Sequence, residues 1–472
     1  MTPTPIPTAP RQMLLDLAEK NESSMFHADA VFDKASSDLF PKLVLLRALT
    51  SFNSEYRERQ HSENKSVNTC RDFLDSFAYI CDFKRGGSTV TAAALQRLSG
   101  SHILWLAANE GISKHVEAYA EQIRRLLVEI NTTNLSDLRN ALFSLAVEKC
   151  GPRIKSYRDK VQDLAKRCKS HLAKGPSTPG ATHLIKKLKT LAYDPSIRND
   201  LKKLVNYCYQ MREAETIEIR KISHSAGVDL AHYIGRLGAT RSAINCLADS
   251  MIVLPELSRI SCIRTIHPPP IKSVKLHERI SSPYEIVRDI CESSRFQNAI
   301  ETKQMLHAMV EFDLPSGGGD DNNNLRSTLR NQLKSASSNN LMTRVHAELQ
   351  MADHFSRHKY AFVLDDRYIG CSKPACYFCF NWLISHRHQY VAPSTHQKVI
   401  PTCRSPDHDI NKSGAEVMKQ MYEKISLQLD RDILAFLLSK NNTNSAQRKR
   451  HQYQSTEGSS YAPSRMDITA RS

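Results

Sequence analysis

Val345-His346-Ala347-Glu348 and Pro374-Ala375-Cys376-Tyr377-Phe378-Cys379, with thirty positions from His346 to Cys376, are the residues whose reading decides the fold of this chain. Together they offer one imidazole, two thiolates and one carboxylate. Three protein ligands on a tetrahedral zinc leave the fourth position for water, which separates a catalytic site from a structural one. His346, Cys376 and Cys379 are therefore the expected metal ligands, with Zn2+ as the cofactor. Glu348 is the expected catalytic residue. Zinc lowers the pKa of bound water toward ~7 from about 15.7, and a carboxylate that is not a ligand can carry the proton to a leaving amine.

The flanking residues give this motif an α/β setting. Leu341, Val345, Leu349, Ala352 and Phe355 recur at spacings of three and four, the stripe of an amphipathic helix. His346 and Glu348 are two apart, roughly 200° around an ideal helix, so they can converge on one metal only at the helix start. Asn340 or Thr343 is the expected N-cap. Tyr360-Ala361-Phe362-Val363-Leu364 reads as a strand that stops at Asp365-Asp366. Ser372 and Pro374 suit the opening of a second helix, which would place Cys376 and Cys379 on one face of its first turn. Helix, strand, helix, with ligands at both helix N-termini, is half of a parallel α/β metal site.

The motif H-x-E…P-C-x-x-C is that of zinc-dependent base deaminases; here Ala375 stands between the proline and the first cysteine. From about Met342 to about His388 the chain resembles the cytidine deaminase-like superfamily. Ile369-Gly370-Cys371-Ser372-Lys373 ahead of the Cys-x-x-Cys brings it close to the fungal branch of OTT-1508-like deaminases. The resemblance implies a three-layer α/β/α sandwich with zinc between two helices under one side of the sheet. It also implies hydrolytic deamination of a nucleobase-type amine, in a free nucleoside or nucleotide or in nucleic acid, without choosing among them. The superfamily builds a strand hairpin just before the His helix. Here that interval holds Pro315-Ser316-Gly317-Gly318-Gly319-Asp320-Asp321-Asn322-Asn323-Asn324, a loop by composition. Ala308–Leu314 alternates like a strand but has no evident partner. Tyr390-Val391-Ala392 and Gln397-Lys398-Val399-Ile400 are candidates for later strands.

A blander reading stands beside this one. Cys403 and His408 follow the Cys-x-x-Cys, and Cys376, Cys379, Cys403 and His408 would make a closed four-ligand site without chemistry. A deaminase fold can also persist in a catalytically inactive, zinc-binding interaction protein. Cys371 reads as a small buried residue at a strand end. His354, His358, His386 and His388 read as solvated, and Trp382, with Phe380 and Leu383, as core.

The chain of 472 residues is longer than a usual single domain. The expected organisation is a Pro-rich disordered start at 1–10, a mostly helical N-terminal domain at 11–304, a deaminase-like zinc domain at 305–440 and a disordered tail at 441–472. Helical spacing in segments such as Val116–Ile130 and Leu135–Val147 supports the second of these. A mean hydropathy of −0.44 and no apolar run near ~20 residues give no sign of a membrane span. No secretory signal is legible at Met1–Pro7, so twelve cysteines read as reduced thiols and the expected compartment is intracellular, cytoplasmic or nuclear. Arg448-Lys449-Arg450 is a weak nuclear-import pattern.

Charge is uneven. Residues 151–203 carry fourteen Lys and Arg against four Asp, a net of +10 out of +16 for the chain. A basic stripe of this kind can attract a phosphate backbone, so nucleic acid is a candidate partner beside the nucleobase-containing substrate.

Overall fold

The computed structural model describes residues 29–35, 37–50, 56–129, 135–175, 178–212, 214–222, 225–274, 283–292, 341–407 and 412–441. In chain order its elements are α1 (Lys65–Cys81), β1 (Thr91–Arg97), β2 (His102–Ala108), α2 (Lys114–Val128), α3 (Leu135–Lys149), α4 (Gly151–Leu172) and α5 (Pro179–Tyr193). They continue with α6 (Leu201–Gln210), α7 (Ala214–Arg220), α8 (Ala226–Val253), β3 (Ile260–Thr265), β4 (Lys272–Val274) and α9 (Pro283–Glu292). The last are β5 (Leu341–Thr343), α10 (Ala347–His358), β6 (Gly370–Cys371), α11 (Tyr377–Ser385) and α12 (Lys412–Asn441).

Two compact units interleave along the chain. One gathers 1–51, 269–345 and 399–449; the other gathers 52–268, 346–398 and 450–472. A serial boundary at 304/305 therefore does not divide them. Residues 308–324 and 442–472, where a strand, a loop and a tail were expected, lie outside the described residues, as does 1–10.

The larger unit is an α/β body on a four-stranded sheet of order β3-β2-β1-β6. β1 and β2 form an antiparallel hairpin in register from Thr91↔Ala108 to Arg97↔His102. Gly100, at φ 84°, makes its turn, in the left-handed region that glycine tolerates best. β3 runs parallel to β2, and β6 adds antiparallel to β1 through Ala92↔Cys371 and Ala93↔Gly370. The hairpin expected just before the His helix is thus present, but far upstream. A helical span from α2 to α8 lies between it and the motif.

Alternation along the hairpin shows that both sheet faces are covered. Ala93, Leu95, Leu104 and Leu106 join one buried cluster with Phe73 and Phe77 of α1 and with residues of α2 to α8. On the opposite face Trp105 packs against His354 of α10, with ring centroids 4.5 Å apart. Helices on two sides of a sheet give the three layers of an α/β/α arrangement. Strands buried on both faces read as continuous apolar runs rather than alternating ones, as Ile103-Leu104-Trp105-Leu106-Ala107-Ala108 does.

Among the described residues of the smaller unit, helix 37–49 carries Lys42, which pairs with Asp430 of α12 at 2.6 Å. β4 and β5 form an antiparallel pair, and Asp407 binds both Arg404 and Lys272. The twelve cysteines form no disulfide among the described residues. No helix among the described residues is long and apolar enough to cross a membrane.

Several local expectations change. Tyr360–Leu364 is not a strand: it contributes one bridge, Gln96↔Phe362, and then a 3-10 turn at Val363–Asp365. Leu364 and Asp365 take positive φ there, which extended backbone cannot accommodate. Residues 390–392 and 397–400 form no strand either. His386 is buried and stacked on Trp382 at 4.6 Å, and His354 is half-buried against Trp105, so neither is solvated. Trp382 is core, 3% exposed.

Candidate metal centre

The first donor position is created by a helix start. α10 begins at Ala347 and its N-cap is His346 itself, with extended φ −72° and ψ 157°, rather than Asn340 or Thr343. The His346 carbonyl accepts from Leu349 and Gln350 at 3.0 Å. The Ala347 N–H, one of the orphan donors of any helix start, goes to Asn109 Oδ1 at 2.8 Å. Asn109 follows β2, so the hairpin fixes the helix entry. Gln350 Nε2 also donates to the Ala108 carbonyl at 3.2 Å. With His346 at the N-cap and Glu348 two residues on, both side chains reach one side of the helix end, as their spacing demands.

The second helix start follows the same plan. α11 begins at Tyr377 with Cys376 as its N-cap, so Cys376 precedes the first turn instead of lying within it with Ser372 as cap. The loop 394–398 clamps this approach: Ala375 N–H donates to Ser394 O at 2.8 Å and Tyr377 N–H to Lys398 O at 2.9 Å. Thr395 Oγ1 donates to Ala375 O at 2.7 Å. The positive ends of two helix dipoles therefore meet the donor set, a setting that favours anionic ligands.

The donors converge. Cys376 Sγ lies 3.6 Å and Cys379 Sγ 3.4 Å from His346 Nδ1, and the two sulfurs are 3.5 Å apart. Bonds of about 2.3 Å to sulfur and 2.0–2.1 Å to nitrogen on a tetrahedral ion would space the donors by about 3.5–3.8 Å. The three side chains thus fit zinc to within a few tenths of an ångström. Glu348, 4% exposed, is buried beside them, and its Oε2 makes no hydrogen bond among the described residues. Burial holds its carboxyl above the usual carboxylate range, opposed by the His346 imidazole.

Cys403 lies in the smaller unit, where it bridges Arg344, two residues ahead of His346. The ligand atoms of His346, Cys376 and Cys379, all buried in the larger unit, lie within 4.8 Å of one another. This cluster could hold a metal ion. The signal for Cys403 was present in the sequence, where its spacing suggested a closed site with His408. His408 is outside the described residues. Cys371 is on β6, half-buried, and is not part of the cluster.

The segment Ile369–Lys373 owes its residue types to α1. Asp75 accepts from the Tyr368 hydroxyl at 2.8 Å and the Cys371 N–H at 3.0 Å, and it pairs with Arg59 at 2.9 Å. Asp82 accepts from Ser372 Oγ at 3.2 Å, and Arg71 grips Asp366 through two bonds of 2.7 and 2.8 Å. Gly370 crosses α1 so closely that a Cβ would lie 2.5 Å from the Leu74 carbonyl carbon. Gly370→Ala is therefore expected to destabilise the protein by about 1–3 kcal/mol, the usual cost of overpacking. Urea denaturation checks this; an unchanged midpoint would mean that the helix and the loop part freely.

No curated protein and no solved structure matches the chain. Residues 345–407, which hold every donor described above, match the family model of OTT-1508-like deaminases, and this stretch is a deaminase-like domain of the cytidine deaminase-like superfamily.

Proposed function

We propose that the protein is a zinc-dependent hydrolytic deaminase acting on a nucleobase-type amine, in a free nucleoside or nucleotide or in nucleic acid. The observation that carries the reading is the convergence of His346 Nδ1 and the sulfurs of Cys376 and Cys379 at 3.4–3.6 Å, with the buried carboxylate of Glu348 beside them. Zinc held by those three side chains would lower the pKa of water toward ~7 and supply a nucleophile at neutral pH. Glu348, which is not needed as a ligand, takes a proton from water through its unengaged Oε2 and returns it to the leaving nitrogen. Water adds at the amino-bearing ring carbon, the C–N bond breaks, ammonia departs and a carbonyl remains. Asn109, Thr395 and the loop 394–398 hold the two helix starts in place during this exchange.

Cys403 favours a second reading. A third thiolate, as the fourth ligand on the ion, would close the tetrahedron and leave no place for water, as in structural zinc sites; the chain would then be a deaminase-fold interaction protein. Replacing the thiol separates the two. Under the deaminase reading Cys403→Ser keeps about one zinc per chain, and ammonia is released from at least one of cytidine, deoxycytidine, adenosine, guanine or single-stranded oligonucleotides. Loss of zinc from Cys403→Ser, with no ammonia from any of these, would establish the closed site.

A further inference from the structure

The basic stretch 151–203 resolves into faces of two packed helices. Val161, Leu164 and Ala165 of α4 and Leu184, Leu188 and Leu191 of α5 are buried in one cluster, which turns the lysines outward. Lys186 and Lys189 are exposed on α5, two turns and one turn before Tyr193 on the same helical face. Tyr193, at 45% exposed, is one of the largest apolar surfaces this region shows to water. Two ammonium groups from the neighbouring helix stand over its ring: Lys169 Nζ at 5.0 Å and Lys166 Nζ at 5.9 Å from the centroid.

The ion pairs of the stretch lie elsewhere. Arg158 pairs with Asp159, and Lys187 is taken up by Glu215 of α7. Asp194, next to Tyr193, accepts from the N–H and hydroxyl of Ser196. Lys166, Lys169, Lys186 and Lys189 make no ion pair with the described residues. Four uncompensated cations around one exposed aromatic ring is more than a solvated helix face requires, because the ring gains nothing from water.

We propose that this α4–α5 face binds single-stranded nucleic acid, with Tyr193 as a stacking platform and Lys166, Lys169, Lys186 and Lys189 on the phosphates. Bases stack on aromatic rings in a sequence-tolerant way, and lysines that neutralise phosphates release counterions. A single strand fits better than a duplex, whose bases are already stacked. It also fits better than an acidic peptide, which has no flat face to offer the ring. The inference deepens the deaminase reading by naming a partner, but binding needs no turnover. Measurement on the Glu348→Gln protein keeps the two apart: lost binding leaves the chemistry untouched, and absent chemistry leaves the binding untouched.

The experiment is fluorescence anisotropy of the full chain with a labelled oligonucleotide of about 20 residues, as RNA and as DNA, across about 50–200 mM salt. Lys166→Glu with Lys169→Glu, and separately Lys186→Glu with Lys189→Glu, should weaken binding at least tenfold. Each should lower the slope of log K against log salt by about 0.7 for every phosphate that is no longer neutralised. Tyr193→Ala should weaken binding by about tenfold, with Tyr193→Trp restoring it. Lys187→Glu, at the position already paired with Glu215, should do less than either double change. Circular dichroism of each variant guards against misfolding, and these positions are exposed or at the helix surface. Equal displacement by polyglutamate, equal binding of duplex with a silent Tyr193→Ala, or no binding at low salt would each overturn the proposal.

Discussion

Glu348→Gln is expected to keep the metal and lose the chemistry. Glutamine matches glutamate in shape and retains a carbonyl oxygen, so the packing around a residue 4% exposed is preserved. The donor atoms that converge are His346 Nδ1 and the cysteine sulfurs, none of which is altered. What disappears is a group that can accept and return a proton. General acid–base catalysis contributes typically 10²–10⁴-fold, so ammonia release should fall by about that factor while zinc content stays near one per chain. Folding stability should not fall, because burial already disfavours the charged form of this carboxyl. If Glu348→Gln instead strips the zinc, Glu348 is a ligand and its role as proton carrier is untenable.

His346→Ala and Cys376→Ala are expected to cost the metal itself. Losing even an outer partner of a ligand typically weakens metal binding by 10–100-fold, so removal of a direct donor should exceed about 100-fold. Zinc measured after dialysis should drop from near one per chain to a small fraction. The thermal midpoint should drop with it, since an ion that binds only the folded state stabilises that state. Zinc retained in His346→Ala would mean that Cys376, Cys379 and Cys403 hold the ion without the histidine, which contradicts a deaminase-type site.

The donor cluster was legible in the sequence because metal ligation demands particular atoms at particular spacings. His346, Glu348, Cys376 and Cys379 are close enough in sequence for two helix starts to bring them together. The sheet beneath them was far less legible. Thr91-Ala92-Ala93-Ala94-Leu95-Gln96-Arg97 is rich in alanine and leucine, the best helix formers, and it lies in a long stretch of helical spacing. Burial on both faces removes the alternation that would have marked a strand. Its partner β6 is two residues long, too short for any pattern. The expected strand at Tyr360–Leu364 failed for the opposite reason: the run is apolar because Phe362 and Val363 are buried, not because the backbone is extended. The N-caps were misplaced because Ser and Asn are favoured at helix starts, whereas here His346 and Cys376 occupy those positions.

The wide separation of the hairpin from the His helix sets the order in which the molecule can be made. Thr91 and Ala108 meet as soon as they leave the ribosome, but Ala93 must wait for Gly370, and Asn109 for Ala347. At about 5–20 residues per second the wait is roughly 15 to 55 s, and during it the outer edge of β1 has no partner. An open strand edge invites pairing with another chain. The helices that intervene are the material available to shield it, since their apolar faces bury Ala93 and Leu95 before β6 exists. The same connectivity makes the stretch 345–407 incomplete by itself. Cut out alone, it would carry its ligands on two helix starts and a two-residue strand, with no sheet to dock against.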